Sequence, residues 1–105
     1  MQSHYDSWIK SSHHAVAGCN DCHVPHAFAE KYLVKAINGW NHSKAFTLQN
    51  FEEPIRISER NLKVAEHNCL YCHGMLTSAV AGHRDIERNA MSCTKCHRSV
   101  GHMEF

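Results

Sequence analysis

A five-residue pattern, Cys-x-x-Cys-His, occurs three times in the chain, at 19–23, 69–73 and 93–97. Two thiols separated by two residues, with an imidazole directly after them, form the attachment signature of a c-type haem. The thiols bond to the two vinyl groups of the haem, and the histidine becomes the proximal ligand of its iron. The pattern predicts three covalently bound haem c groups. Their attachment residues are Cys19, Cys22, Cys69, Cys72, Cys93 and Cys96, and their proximal ligands are His23, His73 and His97.

The same cysteine spacing also occurs in structural zinc sites, so zinc is the main alternative. Such a site needs no histidine directly after the second cysteine, whereas a c-type haem does. All three cysteine pairs have that histidine, in a chain with 11 histidines among 105 residues. We therefore favour haem. Redox-active thiols of the thioredoxin type are less favoured still, because the sequence shows no alternating strand and helix pattern.

The length of the chain, 105 residues, predicts a single domain, 1–105, that is too small to form a stable core unaided. Three haem macrocycles would supply the missing apolar mass. All six cysteines lie inside the motifs, so none remains for a disulfide bond. The formal net charge is +1 before the haem propionates are counted, and there is no basic stripe. We therefore expect no nucleic-acid partner.

The predicted secondary structure begins with two helices. Ser3 and Asp6 have the spacing of a capping box, which predicts a first helix of about three turns that ends near 13–14. Apolar residues at intervals of three and four predict a second helix over 28–40. We interpret the apolar stripe of this second helix as packing on haem or core. A membrane surface or a partner protein is the alternative.

The second half of the chain also favours helices over strands. Residues 41–57 lack a helical pattern and are predicted to form a long surface connection. Ser58 is a candidate N-cap for a helix over 59–72, followed by a short helix over 76–82. A last helix begins near 85 or 89 and carries the third motif. The predicted fold is mainly α, a small multihaem cytochrome c with short helices and irregular chain wrapped round three haems.

Several other histidines are candidates for the second axial position of an iron. His14 lies five residues before the first motif, and His102 lies five residues after the last. A linker this short cannot easily pass round the edge of its own macrocycle, so each should reach a neighbouring haem. His26 is likewise badly placed for the first motif. His42 and His83 could be distal ligands, propionate partners or surface residues, and these alternatives stay open.

Three segments resemble a known family: Cys-Asn-Asp-Cys-His-Val-Pro-His at 19–26, Lys-Ala-Ile-Asn-Gly at 35–39, and Cys-Thr-Lys-Cys-His-Arg-Ser-Val-Gly-His at 93–102. They are similar to the NapC/NirT family of membrane-anchored tetrahaem quinol dehydrogenases, and within it to the small subunits of cytochrome c nitrite reductases. The resemblance covers essentially the whole chain. The family's N-terminal anchor and first haem motif are absent, and Met1 stands where the methionine of that motif occurs.

The resemblance implies a set of axial ligands. By this correspondence His14 caps the haem of His97, and His102 caps the haem of His73. The haem of His23 corresponds to the family haem at the contact with the catalytic subunit. Its sixth ligand there can be a lysine from that partner, so a ligand within this chain need not exist.

The resemblance also implies a function in electron transfer, from membrane quinol through c-type haems to a periplasmic reductase such as cytochrome c nitrite reductase. The expected partner is a larger multihaem reductase subunit, and a membrane quinol would be reached through the missing anchor. Lys35 matches a lysine near the family's quinol site, and His42 matches a position beside the family's first haem.

The expected location is the periplasm, with attachment to the outer face of the cytoplasmic membrane in a full-length form. No run approaches the roughly 20 apolar residues that span a bilayer. Because haem is attached to such motifs outside the cytoplasm, we expect an export signal to have preceded the chain, which would make this a mature, truncated or fragmentary form.

Two other functions remain open. One is a free soluble trihaem shuttle, and the other is a haem enzyme or gas sensor with an open coordination position at the His23 haem. The sequence shows no acid–base pair or activated nucleophile, so independent catalysis is not the favoured interpretation.

Overall fold

The computed structural model describes residues 2–81, 83 and 92–102. These residues form five helices, and none of them lies in a strand. The helices are α1 (Gln2–Ile9), α2 (Cys19–His23), α3 (Phe28–Leu48), α4 (Glu59–Ala79) and α5 (Cys93–Cys96). The mainly α fold expected from the sequence is confirmed.

The helix α4 is the element on which the others are assembled. Both α2 and α5 pack against it, and α4 itself contains the second motif, 69–73. The side-chain oxygen of Asn38 on α3 accepts hydrogen bonds from Arg60 at 2.9 Å and from Asn61 at 3.2 Å, which links α3 to the first turn of α4. All three motifs are therefore gathered along one helix.

The start of α4 is where the sequence predicts it. Ser58 has extended backbone angles, and its hydroxyl accepts a hydrogen bond from the N–H of Asn61 at 3.4 Å, as an N-cap does. The predicted end near 72 and the separate helix over 76–82 are wrong. The helix continues through the second motif and Gly74 as far as Ala79. Its packing against α2 and α5 stabilises helical backbone across a segment of weak intrinsic propensity.

The helix α3 is also longer than its apolar pattern predicts. The sequence predicts a connection from residue 41 onward, but the helix runs to Leu48. Residues 41–48 contain neither proline nor glycine, so nothing interrupts a helix that is already formed over 28–40. The helix ends at Gln49, whose φ of 52° is left-handed and whose N–H donates to the carbonyl of Ala45.

The helix α1 is shorter than predicted. It begins at Gln2, so Ser3 lies in its first turn and is not its N-cap. It ends at Ile9, and hydrogen-bonded turns follow over 10–17. The indole N–H of Trp8 donates to the carbonyl of Ala17 at 3.0 Å, which holds this stretch folded back against α1. The predicted start of the last helix, near 85 or 89, lies outside the described residues.

The chain buries little of its own apolar surface. Among the described residues, Val24 is the one buried apolar side chain, at 7% exposure. The accessible surface is 8382 Å², whereas a compact protein of this mass exposes about 6,000 Å². Large apolar side chains on α3 are open, with Phe28 79% and Trp40 71% exposed. The helices therefore form a frame with room for large apolar groups. None of the helices described is both long and apolar enough to cross a membrane.

Candidate functional site

The cysteine pairs of all three motifs have helical backbone. The first motif is the whole of α2, the second lies inside α4, and the third forms α5 with His97 at its C-terminal cap. Residues three and four apart lie on one face of a helix, so the two thiols and the imidazole of each motif share a side. The six cysteines are free thiols. Each motif can therefore present two thiols and one imidazole to a single planar group.

The thiols of neighbouring motifs lie close enough to affect one another. Burial is the main reason that the pKa of the Cys69 thiol is raised to about 11, and Cys93, Cys22 and Glu66 add to it. Burial also raises the pKa of Cys22, with smaller contributions that include Cys72. Thiols with raised pKa values are protonated at neutral pH.

Each motif histidine has a second histidine ring opposite it at nearly the same distance. The ring centroids are 6.1 Å apart for His23 and His102, 6.1 Å apart for His73 and His13, and 6.4 Å apart for His97 and His83. The angles between the ring planes are 4°, 77° and 37° in the same order. The distance recurs although the relative orientation of the rings does not.

This distance fits a metal ion between the rings. A metal ion bonds an imidazole nitrogen at about 2.0 Å, and the ring centre lies about 1.2 Å behind that nitrogen. Two imidazoles on opposite sides of one metal therefore have centres about 6.4 Å apart. Closely stacked rings come nearer than this, as His26 and Tyr71 do at 4.2 Å with planes 13° apart, whereas tilted and edge-on ring contacts extend to about 7 Å. The centroid separation of each histidine pair therefore leaves room for one metal ion between the two rings.

The structure distinguishes His13 from its neighbour His14. Nδ1 of His13 lies 3.0 Å from the carbonyl oxygen of Val100. An Nδ1–H donor at this distance leaves Nε2 for a metal, the usual arrangement of a ligating histidine. His14 is exposed and packs edge-on against Trp8, with ring centroids 4.9 Å apart. The ring brought opposite His73 is therefore that of His13.

His83 follows the end of α4 closely. Its backbone N–H donates to the carbonyl of Val80 at 3.2 Å, which ties it to the C-terminal cap of that helix. Its Nδ1 is shielded from solvent and has no hydrogen-bond partner among the described residues. His83 therefore keeps one ring nitrogen, Nδ1, that makes no hydrogen bond within the described residues.

His23 and His102 lie in a cluster with a third histidine, His4. Burial lowers the pKa of His23, and His102 and His4 lower it further. A lowered pKa keeps the imidazole neutral at neutral pH, which is the form that binds a metal. The ring of His4 meets that of His102 edge-on at 5.0 Å, too close for a metal between the two.

The structure brings together different rings from those that the resemblance implies. That correspondence pairs His14 with His97 and His102 with His73, whereas the closest arrangements join His83 with His97 and His102 with His23. Lys35 and His42 both lie exposed on α3. Within the described part of the chain, no hydrogen bond or ring contact joins either of them to a motif.

Two residues of α4 that sequence reasoning did not single out hold the other motifs in place. Asn68, 4% exposed, donates from Nδ2 to the carbonyls of Cys22 at 3.0 Å and Val24 at 2.9 Å. Glu66 accepts hydrogen bonds from the hydroxyls of Ser92 and Thr94. The only signal for them in the sequence is two polar side chains on a helix directly before a motif.

Comparison with known proteins places the chain in a family. The model of the NapC/NirT cytochrome c family, N-terminal region, matches residues 1–105. The chain is 36% identical to the cytochrome c-type protein NrfH of Wolinella succinogenes, over 97% of the chain and 63% of that protein. It is 38% identical to the cytochrome c nitrite reductase subunit NrfH of Nitratidesulfovibrio vulgaris, over 91% of the chain and 58% of that protein. The chain thus spans less than two thirds of the length of these relatives.

A solved structure shows the same fold. The chain superposes with a TM-score of 0.78 and 36% identity on a chain from the crystal structure of the cytochrome c nitrite reductase NrfHA complex bound to the HQNO inhibitor. The match covers 97% of this chain and 67% of the other. Since a family model accounts for every residue and a solved relative for nearly all of the fold, the protein belongs to the NapC/NirT cytochrome c family and carries covalently bound haem c.

Proposed function

We propose that the protein is an electron-transfer module of one domain, 1–105, that holds three haem c groups, each ligated on both faces by histidines of this chain. The observation that supports the proposal is the recurrence of one ring separation, 6.1 to 6.4 Å, at all three motif histidines. Haem c, when bound, supplies one-electron chemistry at its iron.

The protein's own residues would set the position and coordination of each group. The cysteine pairs on α2, α4 and α5 would bond the haem groups, and the histidine pairs would ligate their irons. A filled coordination sphere leaves no site for a substrate or gas, which favours electron relay over an enzyme or sensor. The proposal assigns His102 to the haem of His23, for which the sequence suggested an open position, because the two rings lie 6.1 Å apart.

The arrangement of the motifs round α4 supports transfer between neighbouring groups. Cys22 of the first motif lies near Cys72, and Cys69 lies near Cys93 of the third. The attachment points of the second group are therefore adjacent to those of both others. Electrons could enter at either end of this series and leave at the other.

The source and the acceptor follow from the relatives. One relative is named as a subunit of cytochrome c nitrite reductase, and the matching solved chain comes from a cytochrome c nitrite reductase complex. We therefore place the chain in a periplasmic complex, attached to the outer face of the cytoplasmic membrane in a full-length form. Membrane quinol would supply the electrons, and a larger multihaem reductase would receive them. The exposed apolar side chains of α3, near Lys35, support a membrane or partner contact there.

The relay is tested with the holoprotein by rapid mixing. Fully reduced protein is mixed with an oxidised multihaem nitrite reductase in the presence of nitrite, and the haem absorbance is followed. We expect reoxidation of all three groups, at a rate that depends on reductase concentration. Direct turnover of nitrite by the chain alone, with no need for the reductase, would instead support an enzyme.

The axial ligands are tested with a matched pair of neighbouring residues. His13→Ala should convert one group to a form that binds carbon monoxide when reduced, while His14→Ala should leave carbon monoxide binding unchanged. His83→Ala should also open one group, and His42→Ala on α3 should not. Carbon monoxide binding by the His14 variant, but not the His13 variant, would restore the pairing that the resemblance implies.

A further inference from the structure

Glu66 occupies the place where the third motif packs on α4. Its Oε1 accepts hydrogen bonds from the hydroxyl of Ser92 and, at 3.4 Å, from that of Thr94. These two hydroxyls are themselves 2.9 Å apart and flank Cys93 on both sides. Glu66 thus contacts the start of α5 through two hydroxyl groups, one on each side of Cys93.

Ser92 makes its hydrogen bond to Glu66 instead of capping its own helix. Ser92 is the N-cap of α5, with extended backbone angles of −97° and 129°. A serine at this position usually caps the helix through its hydroxyl. Here the side chain makes no capping hydrogen bond, because the hydroxyl is turned to Glu66. The cross-helix contact is therefore favoured over the local one.

The carboxylate also lies electrically close to two attachment sites. Glu66 precedes Cys69 by one helical turn, and it raises the pKa of both the Cys69 and Cys93 thiols, in each case behind the larger effect of burial. Within the described residues, no lysine or arginine lies within ion-pair distance of Glu66, whereas Glu59 on the same helix is paired with Lys63 at 3.2 Å. Among those residues, no neighbouring cation offsets the negative charge of Glu66.

We propose that Glu66 is a positioning residue that fixes the third haem motif on the second and lowers the reduction potentials of the two haems attached there. The proposal rests on the proposed function, since it requires haems at both motifs. Reduction adds one electron to the iron, so a nearby negative charge disfavours the reduced state. Glu66 would thereby favour electrons residing on the haem of the first motif.

The first motif is affected least because it lies on the other side of α4. Asn68, whose amide contacts the first motif, is roughly 200° round the helix from Glu66. Cys69 is within about 60° of Glu66 on the helix, and Glu66 is not among the groups that raise the pKa of Cys22 in the first motif. The charge is therefore close to two of the three attachment sites, and the effect on the potentials should be unequal.

The test is a spectroelectrochemical titration of the holoprotein with Glu66→Gln. The amide keeps the size of the side chain and an oxygen that accepts from Ser92, while the charge is lost. We expect the ratio of reduced to oxidised haem at a fixed potential to rise about tenfold for two of the three groups, which is about 59 mV for a one-electron couple. Glu59→Gln is the control, because it removes the same charge from an 84% exposed side chain of the same helix, and we expect no shift.

Rescue and a second variant separate charge from structure. Glu66→Asp keeps the charge and should keep potentials near those of the wild type. Ser92→Ala removes a hydroxyl dipole that partly offsets the charge of the carboxylate, and it should therefore lower the same two potentials. It also tests the proposal if the Gln variant does not mature.

The role of Glu66 would be overturned if Glu66→Gln kept the wild-type potentials or if Glu59→Gln shifted them equally. It would also be overturned if Ser92→Ala left the potentials unchanged or raised them. The pyridine haemochrome content of the wild type is measured separately. Fewer than three haems per chain would overturn the proposed function, whereas three haems with unshifted variant potentials would overturn the role of Glu66 alone.

Discussion

Asn68→Ala removes the amide that ties the first motif to α4. The amide donates to two backbone carbonyls, those of Cys22 at 3.0 Å and Val24 at 2.9 Å. Asn68 is 4% exposed and Val24 is 7% exposed, so water cannot readily replace the lost donor. An orphaned buried polar group costs about 1–3 kcal/mol. Two carbonyls lose their donor, and the cost for that of Cys22 lies at the low end of this range because Cys22 is less buried. We expect the free energy of unfolding to fall by about 3 kcal/mol in total.

The assay is guanidinium unfolding of the oxidised holoprotein, followed by helical circular dichroism and by haem absorbance. In a thermal scan the same loss should lower Tm by about 12 °C or more, since 1 kcal/mol corresponds to about 4–8 °C in small domains. Asn41→Ala is the matched control, because it truncates the same side chain at an exposed position of α3. It should change the free energy of unfolding by less than about 0.5 kcal/mol. An Asn68 variant as stable as the wild type would refute the reasoning.

Four further substitutions test the Asn68 contact again and three other contacts. Asn68→Asp places a carboxylate against the same carbonyls, which raises the pKa of that carboxylate in the folded state. Stability should therefore recover as the pH falls, and unfolding midpoints that rise with pH between 4 and 8 would contradict this expectation. Ser58→Ala removes the N-cap of α4 and should cost about 1 kcal/mol in chemical unfolding, with no loss arguing against that cap. Trp8→Phe removes the hydrogen bond to the Ala17 carbonyl and should cost about 0.5–1.5 kcal/mol, whereas Lys63→Ala, at an exposed ion pair, should cost less than about 0.5 kcal/mol.

The existence of the helices was predictable, but their lengths were not. Apolar spacing over 28–40 and a serine at 58 are local signals, and both mark helices in the structure. The extension of α3 to Leu48 and of α4 to Ala79 has no such signal, because propagation depends on the absence of breakers and on tertiary contacts. The cysteines and histidine of the second motif interrupt the apolar spacing, so the sequence predicts that the helix ends there. In the structure the motif lies well inside α4.

The pairing of the histidines shows a different limit. Linker length argues that a histidine five residues from a motif serves another haem, and His102 does lie opposite the histidine of a different motif. The sequence cannot choose between the adjacent His13 and His14, since their linkers differ by one residue. That choice depends on the turns over 10–17 and on the carbonyl of Val100, 87 residues away from His13.

The contacts made by Glu66 and Asn68 could not be read from the sequence at all. Both are ordinary polar residues for a solvated helix. Their partners are 26 to 46 positions away in the sequence, in or beside short helices that are positioned by tertiary packing. Asn68 binds backbone carbonyls, which carry no sequence signal. Family membership was predictable because it depends on local motifs and their neighbours, and the comparisons confirm it.

The central claim is that this chain binds three haem groups covalently, and the intact mass of the denatured, purified protein tests it most directly. Denaturation removes groups held by coordination alone and retains those held by thioether bonds. We predict the mass of the polypeptide plus three haems. A mass equal to the bare polypeptide, or to the polypeptide with fewer than three haems, would contradict the account.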